Sequence, residues 1–421
     1  MRDVDLIIHG ASQLLTLAPE RGDENRDDAE LAELGAVAGG AVAVRDGTIV
    51  DAAGAEKIRD SYRAEREIDA GGGVVLPGLV DPHTHAVFAG SRHLEFGMRM
   101  RGAGYLEILE AGGGIHATVN ATRAASLEEL VAAARPRLAR ALGFGVTTME
   151  IKSGYGLDEE TEIRMLEAVA ALHREGPVRL VPTYLGAHVV PREHADRRGE
   201  YVRRVVGEVL PAVARRELAL ACDVFLDDGA FETDEAREIL TAARDLGLAT
   251  KIHAGQFSDR GGPELISELG GLSAEHLEHV SDAGVAAMAK AEVVANLLPG
   301  AAFSLRDHFP SGRRFLDAGV RVALATDNNP GSSRSENLPL MAAMGVARMG
   351  LTCAEAVRAV TRDAARALGI EERVGSLEPG KAADIVVLGL PDFRAFLYHF
   401  GVNHVRTVVA GGEVVVQGGA R

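Results

Sequence analysis

The chain predicts a (β/α)₈ TIM barrel carrying a small composite β-sandwich domain formed by both of its ends. Short strand-like runs recur at 74–80, 145–151, 178–184, 221–226, 249–253, 273–280, 292–298 and 321–326. Amphipathic segments such as 159–174, 233–246 and 354–368 alternate with them. Turn-linked strands with no helical pattern between them are confined to the two flanks. Eight strands in regular alternation with helices form a parallel sheet buried on both faces, and eight units favour a closed barrel over an open doubly wound sheet. The expected division is a composite β domain from 1–76 plus 375–421 and a barrel over 77–374.

Taken in order, 4–8, 41–44, 48–50 and 66–68 read as strands, with Asp46-Gly47 as a hairpin turn. The acidic stretch 19–33 reads as a surface loop with some helix, and 103–142 has room for an extra loop and helix. The closing strands are 384–388, 407–409 and 413–416, the last two joined by Gly411-Gly412. Gly375 to Lys381 matches the spacing of a phosphate loop, but Ala382 replaces the hydroxyl residue and a strand follows, so it is a turn.

Composition narrows the function. The 421 residues are 47% hydrophobic and 25% charged, an ordinary globular mixture. Acidic residues outnumber basic ones 61 to 45, and a formal charge of −16 disfavours nucleic acid and anionic membrane as partners. Two cysteines, Cys222 and Cys353, form no disulfide framework, and the sequence shows neither a signal-peptide pattern nor a run of ~20 apolar residues. A cytoplasmic protein acting on a small molecule is expected.

In a barrel, chemistry gathers where strands end. The first run leads into Asp81-Pro82-His83-Thr84-His85, and residues two apart on an extended chain face the same way. The fifth run ends in His253, the sixth contains His276 and the eighth leads to Asp327. Three histidines and a carboxylate from these strand ends, meeting in one mouth, make a set suited to one divalent metal ion, Zn²⁺ or Fe²⁺/Fe³⁺. Lys251 shares a pleat face with His253 and is expected to form a buried ion pair. His9, His116, His173, His279 and His404 are read as surface or packing residues.

Across almost its whole length the chain resembles the amidohydrolase superfamily. The resemblance rests on Val75-Leu76-Pro77-Gly78 through His85, on His253 and Asp327, and on Gly375-Ser376-Leu377-Glu378-Pro379-Gly380. A narrower resemblance, to its ring-opening branch in histidine degradation, rests on His85-Ala86-Val87-Phe88-Ala89-Gly90-Ser91-Arg92, Lys152-Ser153-Gly154-Tyr155-Gly156, Tyr184-Leu185-Gly186-Ala187-His188 and Asp327-Asn328-Asn329-Pro330-Gly331-Ser332. It implies hydrolysis of 4-imidazolone-5-propanoate to N-formimidoyl-L-glutamate, metal ligation by His83, His85, His253 and Asp327, and a homodimer. It also implies substrate contacts from Arg92, Tyr155, His188, Gln256, Asn329, Gly331 and Ser332.

These roles have a physical basis. An arginine such as Arg92 can fork onto a carboxylate tail, and the glycines beside Tyr155 let backbone approach a ligand. The 329–332 turn can present amides and side-chain donors to the tail. His276 and Asp327 are the expected catalytic pair, with Asp327 moving protons and His276 donating to a developing oxyanion. Two rivals are another cyclic amidohydrolase or aminohydrolase of the same fold, and a non-catalytic barrel scaffold. Gln256 stands where deaminase-like members carry a glutamate and cannot shuttle protons, which argues against the first. Retention of all four ligands argues against the second. The fourth run, 221–227, lacks the lysine that two-metal members use, which favours one ion.

Overall fold

The computed structural model describes residues 1–18, 28–103, 107 and 111–418. Part of the acidic 19–33 stretch therefore lies outside the described residues; the remainder includes a short helix, Ala29–Glu33.

Eight parallel strands follow one another in chain order around the barrel. They are β1 (Leu79–Asp81), β2 (Val146–Lys152), β3 (Arg179–Ala187), β4 (Ala221–Leu226), β5 (Ala249–Ala254), β6 (Ser273–His276), β7 (Val294–Leu297) and β8 (Val322–Leu324). The ring closes just beyond β1 and β8, where Thr84 bridges Asn328 in parallel. His85 N–H donates to Asn328 O at 3.1 Å and Asp327 N–H to His83 O at 3.0 Å. Asp81 clasps the same seam by accepting Thr326 N–H at 3.1 Å and Thr326 Oγ at 2.6 Å. Metal-ligand candidates and barrel closure thus share one stretch of backbone.

Two expected elements are corrected. The 74–80 run is two strands, not one: Val74–Pro77 pairs with Ile385–Leu388 in another sheet, and the barrel begins only at Leu79. The break falls at Gly78, where a Cβ would overlap the Thr147 side chain, so the chain turns there from one sheet into the next. The 354–368 helix is likewise two, Cys353–Ala359 and Arg362–Ala367. Val360 O accepts Val80 N–H at 2.9 Å, a tertiary bond that takes this carbonyl out of the helical ladder.

Both flanks of the chain build the second layer pair. One sheet orders Thr48–Gly54, Gly40–Arg45, Arg2–His9 and Tyr62–Asp69. The other orders Glu413–Gln417, Val405–Ala410, Ile385–Leu388, Val74–Pro77, Gln13–Leu15 and Ala36–Ala38. Their facing side chains, among them Leu6, Ile8, Leu14, Val42, Val75, Ile385 and Val409, share one buried cluster, which makes the pair a sandwich. Asp46 and Gly47 both have positive φ (52° and 69°), as a two-residue hairpin turn requires. Among the described residues, no helix is long and apolar enough to cross a membrane.

Candidate active site

At the ends of the barrel strands, His83 and His85 bring their Nε2 atoms to 3.3 Å of each other. Asp327 Oδ1 lies 3.4 Å from His83 Nε2 and 3.6 Å from His85 Nε2. His253 joins them, with one nitrogen of each of the three rings inside a 4.8 Å group. All four side chains are almost completely buried.

The proton positions follow from the partners behind the rings. His83 Nδ1 meets Glu275 Oε2, and His253 Nδ1 meets Asp223 Oδ2 at 2.9 Å. Each carboxylate draws the ring proton to Nδ1 and leaves an Nε2 lone pair facing the cluster. His253 Nε2 is buried with no hydrogen-bond partner among the described residues. Lone pairs and a carboxylate oxygen converging on one point repel each other unless a cation lies between them. Donors about 2.0–2.1 Å from a tetrahedral zinc stand roughly 3.3 Å apart, so the spacing of His83, His85 and Asp327 fits such an ion.

Beneath this cluster lies a buried charge network that sequence reasoning found only in part. Lys251 forms its expected ion pair, reaching Glu150 at 2.7 Å and Glu275 at 2.8 Å. Lys152 reaches Asp223 at 2.7 Å, Glu150 at 2.9 Å and Glu275 at 3.0 Å. Burial opposes the charge on Lys152, but the three carboxylates outweigh it and hold the ammonium well above the usual lysine range. Burial likewise opposes ionisation of Glu275, which Lys152, Lys251 and His83 nevertheless keep well below the usual range. Lys152, Glu275 and the side chain of Asp223 were not singled out in the sequence. Strand alternation was the available signal: Lys152 ends β2 two residues after Glu150, and Asp223 pairs in register with Lys251.

His276 reaches the site by a different route. Alternation along β6 directs Glu275 inward, paired with His253, and should send His276 outward. Instead His276 and Leu277 have φ of 78° and 67°, a left-handed kink that breaks the pleat, and His276 lines the cavity. Such conformations cost roughly 1–3 kcal/mol per non-glycine residue and collect where function over-determines them. Burial holds the His276 imidazole neutral, down to about 3.

The cavity above the cluster has a volume of about 420 Å³. His85, Tyr155, His188, Phe225, His253, Gln256, His276, Asp327, Asn329, Gly331 and Ser332 reach it, as do Arg92 and Arg99. Its walls are flat rings: His188 stacks on His85 with centroids 5.2 Å apart and planes 15° apart, and Tyr155 lies 5.4 Å from His188. Burial pulls His188 down to about 3, so the ring is neutral. Its Nδ1 faces Gly154 O at 3.0 Å, a pure acceptor, so Nδ1 carries the proton and Nε2 is an acceptor. Gln256 is held through its backbone, its N–H donating to Asp227 Oδ2 at 2.7 Å.

The 329–332 turn differs from expectation. The N–H groups of Gly331 and Ser332 do not face a ligand; both donate to Asn329 Oδ1, at 2.7 and 2.8 Å. Asn329 Nδ2 donates to Asp327 O at 2.7 Å, and Ser332 Oγ donates to Asp327 Oδ2 at 3.1 Å. The turn bonds to itself because an asparagine at its first position caps the amides that follow. Its net effect is to fix Asp327. Arg92 is also engaged: Nε donates to Glu95 Oε2 at 2.9 Å and Nη2 to Glu95 Oε1. Its guanidinium packs against Gly331, where a Cβ would overlap Nη1.

A parallel barrel with this donor set at its strand ends is the architecture of an amidohydrolase, and comparison with known proteins agrees. A model of the amidohydrolase family matches residues 74–415. The imidazolonepropionases of Geobacillus kaustophilus (47% identical over 418 residues) and Myxococcus xanthus (48% over 417) each match across 98% of both chains. A zinc-bound adenosine deaminase from Xanthomonas campestris superposes with a TM-score of 0.75 at 20% identity, covering 99% of this chain and 94% of that one. A triazine hydrolase variant gives 0.74 at 19%, covering 98% and 95%. These two likenesses show the fold. The chain belongs to the amidohydrolase family and, within it, to the imidazolonepropionases.

Proposed function

We propose that the chain hydrolyses 4-imidazolone-5-propanoate to N-formimidoyl-L-glutamate, using one divalent cation, zinc or iron, held by His83, His85, His253 and Asp327. The carrying observation is the convergence of the His83 and His85 Nε2 atoms, Asp327 Oδ1 and a nitrogen of His253 beneath a ring-walled cavity. When bound, such a cation supplies a water acidified to about pKa 7 and a Lewis acid for the lactam carbonyl.

The remaining steps belong to the side chains. His188, Tyr155 and Phe225 form the flat slot that receives the heterocycle, and the His188 Nε2 lone pair accepts a ring N–H. Gln256 offers amide hydrogen bonds to the ring and carries no proton. The neutral His276 donates to the oxygen that gains charge as water adds to the carbonyl. Asp327 takes the proton from the attacking water and delivers it to the departing ring nitrogen, its orientation fixed by Ser332 and the Asn329 turn. Asn329, Gly331 and Ser332 serve the substrate mainly by shaping this wall. Arg92 faces the propionate.

The test follows the disappearance of 4-imidazolone-5-propanoate in protein stripped by a chelator and then reloaded. Activity should vanish on stripping and return in full with about one equivalent of Zn²⁺ or Fe²⁺. Full turnover by thoroughly stripped protein would overturn the reading.

A further inference from the structure

The helix His93–Met100, with Arg92 as its N-cap residue, turns one face to the catalytic cavity. Arg92, Glu95 and Arg99 occupy that face at spacings of three and four residues, which are neighbours on a helix. Glu95 spends both oxygens on fixing its surroundings. It takes two bonds from Arg92, and Oε2 also accepts Gly114 N–H at 2.8 Å. Arg99 sends Nη2 to Gly331 O at 2.9 Å. Its Nε is buried and has no partner among the described residues. Burial holds the Arg99 guanidinium below the usual arginine value, with Arg92 opposing it further and Glu95 only partly compensating.

Two guanidiniums and one carboxylate leave this wall with a net charge of +1, the complement of a single carboxylate. The obvious alternative donors are already used, because the Gly331 and Ser332 amides bond to Asn329. Arg92 lines both the catalytic cavity and a neighbouring one of about 490 Å³, whereas Arg99 lines the catalytic cavity alone. A guanidinium that lines the cavity beside an excess positive charge is a site that pairs with a carboxylate.

We propose that Arg99 is a specificity-determining residue, receiving the substrate carboxylate on its guanidinium beside Arg92, with Glu95 acting as the strut that holds Arg92 in place. The inference rests on the propionate-bearing substrate proposed above. In this arrangement Gly331 joins the two arginines: its face carries Arg92 and its carbonyl anchors Arg99.

The experiment measures binding of two competitive ligands to the metal-loaded enzyme, imidazole-4-propanoate and its uncharged primary amide. Wild type should favour the acid. Arg99→Gln should weaken the acid by about 10- to 100-fold, the scale of a lost charge-assisted hydrogen bond, and leave the amide within about 2-fold. Arg99→Lys, which keeps the charge without the guanidinium, should weaken the acid by a smaller factor of about 3 to 10. Equal loss for both ligands would show that Arg99 acts only through Gly331, and no loss for either would show that it does not meet the tail. Each result overturns the proposal, as would an Arg99→Lys variant with the full wild-type preference. A wild-type enzyme indifferent between acid and amide would instead overturn the substrate reading beneath it.

Discussion

Lys152 and Lys251 rise from different strands of the barrel and meet on one carboxylate, Glu275, at 3.0 and 2.8 Å. The same Glu275 faces His83 Nδ1, so the floor of the barrel is joined to the first of the candidate ligands by a single side chain. Two ammonium groups against Glu150, Asp223 and Glu275 leave a net charge of −1 under the cluster, which favours a cation above it.

Glu275→Gln should weaken metal retention by about 10- to 100-fold, the usual effect of removing a carboxylate behind a ligating histidine. Chelator competition followed by zinc analysis reads this without reference to turnover. An unchanged affinity would remove Glu275 from the positioning role.

Lys251→Met leaves Glu150 and Glu275, both fully buried, short of a cation and should destabilise the fold by about 3–5 kcal/mol. Paired with Glu150→Gln, the loss should be smaller than the sum of the two single losses, because the second change relieves the charge that the first exposed. Urea unfolding of the four proteins in this cycle measures the coupling, and simple additivity would argue against a shared network.

Gly331 lies outside the positive-φ residues, so Gly331→Ala strains the backbone little. Its Cβ would nonetheless occupy the place of Arg92 Nη1. Apparent KM should rise by about 10-fold or more, with a much smaller change in kcat and unfolding stability. A KM equal to wild type would mean that the Arg92 guanidinium does not contact the substrate.

Arg92→Ala removes the guanidinium itself and frees Glu95, which then presents an uncompensated carboxylate to the tail. KM should rise by about 100-fold, more than for Gly331→Ala, since repulsion adds to the lost bond. The double variant with Glu95→Gln should recover part of this loss; steady-state kinetics on the three variants provides the comparison.

Much of this site is legible in the sequence because the barrel imposes a simple rule on its strand ends. His83 and His85 announce themselves by spacing, and His253 and Asp327 by closing their runs. What escaped notice depends on contacts that no local pattern encodes. Glu275 lies in a short strand where a carboxylate reads as an interruption, and its partners come from β2 and β5. His276 reads as lying inside the 273–280 run, whereas the strand ends at His276 itself; alternation alone would turn it away, and a left-handed kink brings it in. The Asn-Pro-Gly-Ser turn reads as an open set of donors, while in the fold its amides bond within the turn. The 74–80 run is uniformly apolar, and only the Thr147 side chain against Gly78 shows why it must be divided between two sheets.

That division ties the chemistry to the order in which the polypeptide is made. Val74–Pro77 is pinned by Ile385–Leu388, some three hundred positions downstream, and leads within a few residues to His83. During synthesis the strand that delivers the first ligands must therefore wait, one edge unclaimed, until Ile385–Leu388 leaves the ribosome. Nascent chains halted before that point should hold most of the barrel's helices and still be unable to grip a cation firmly.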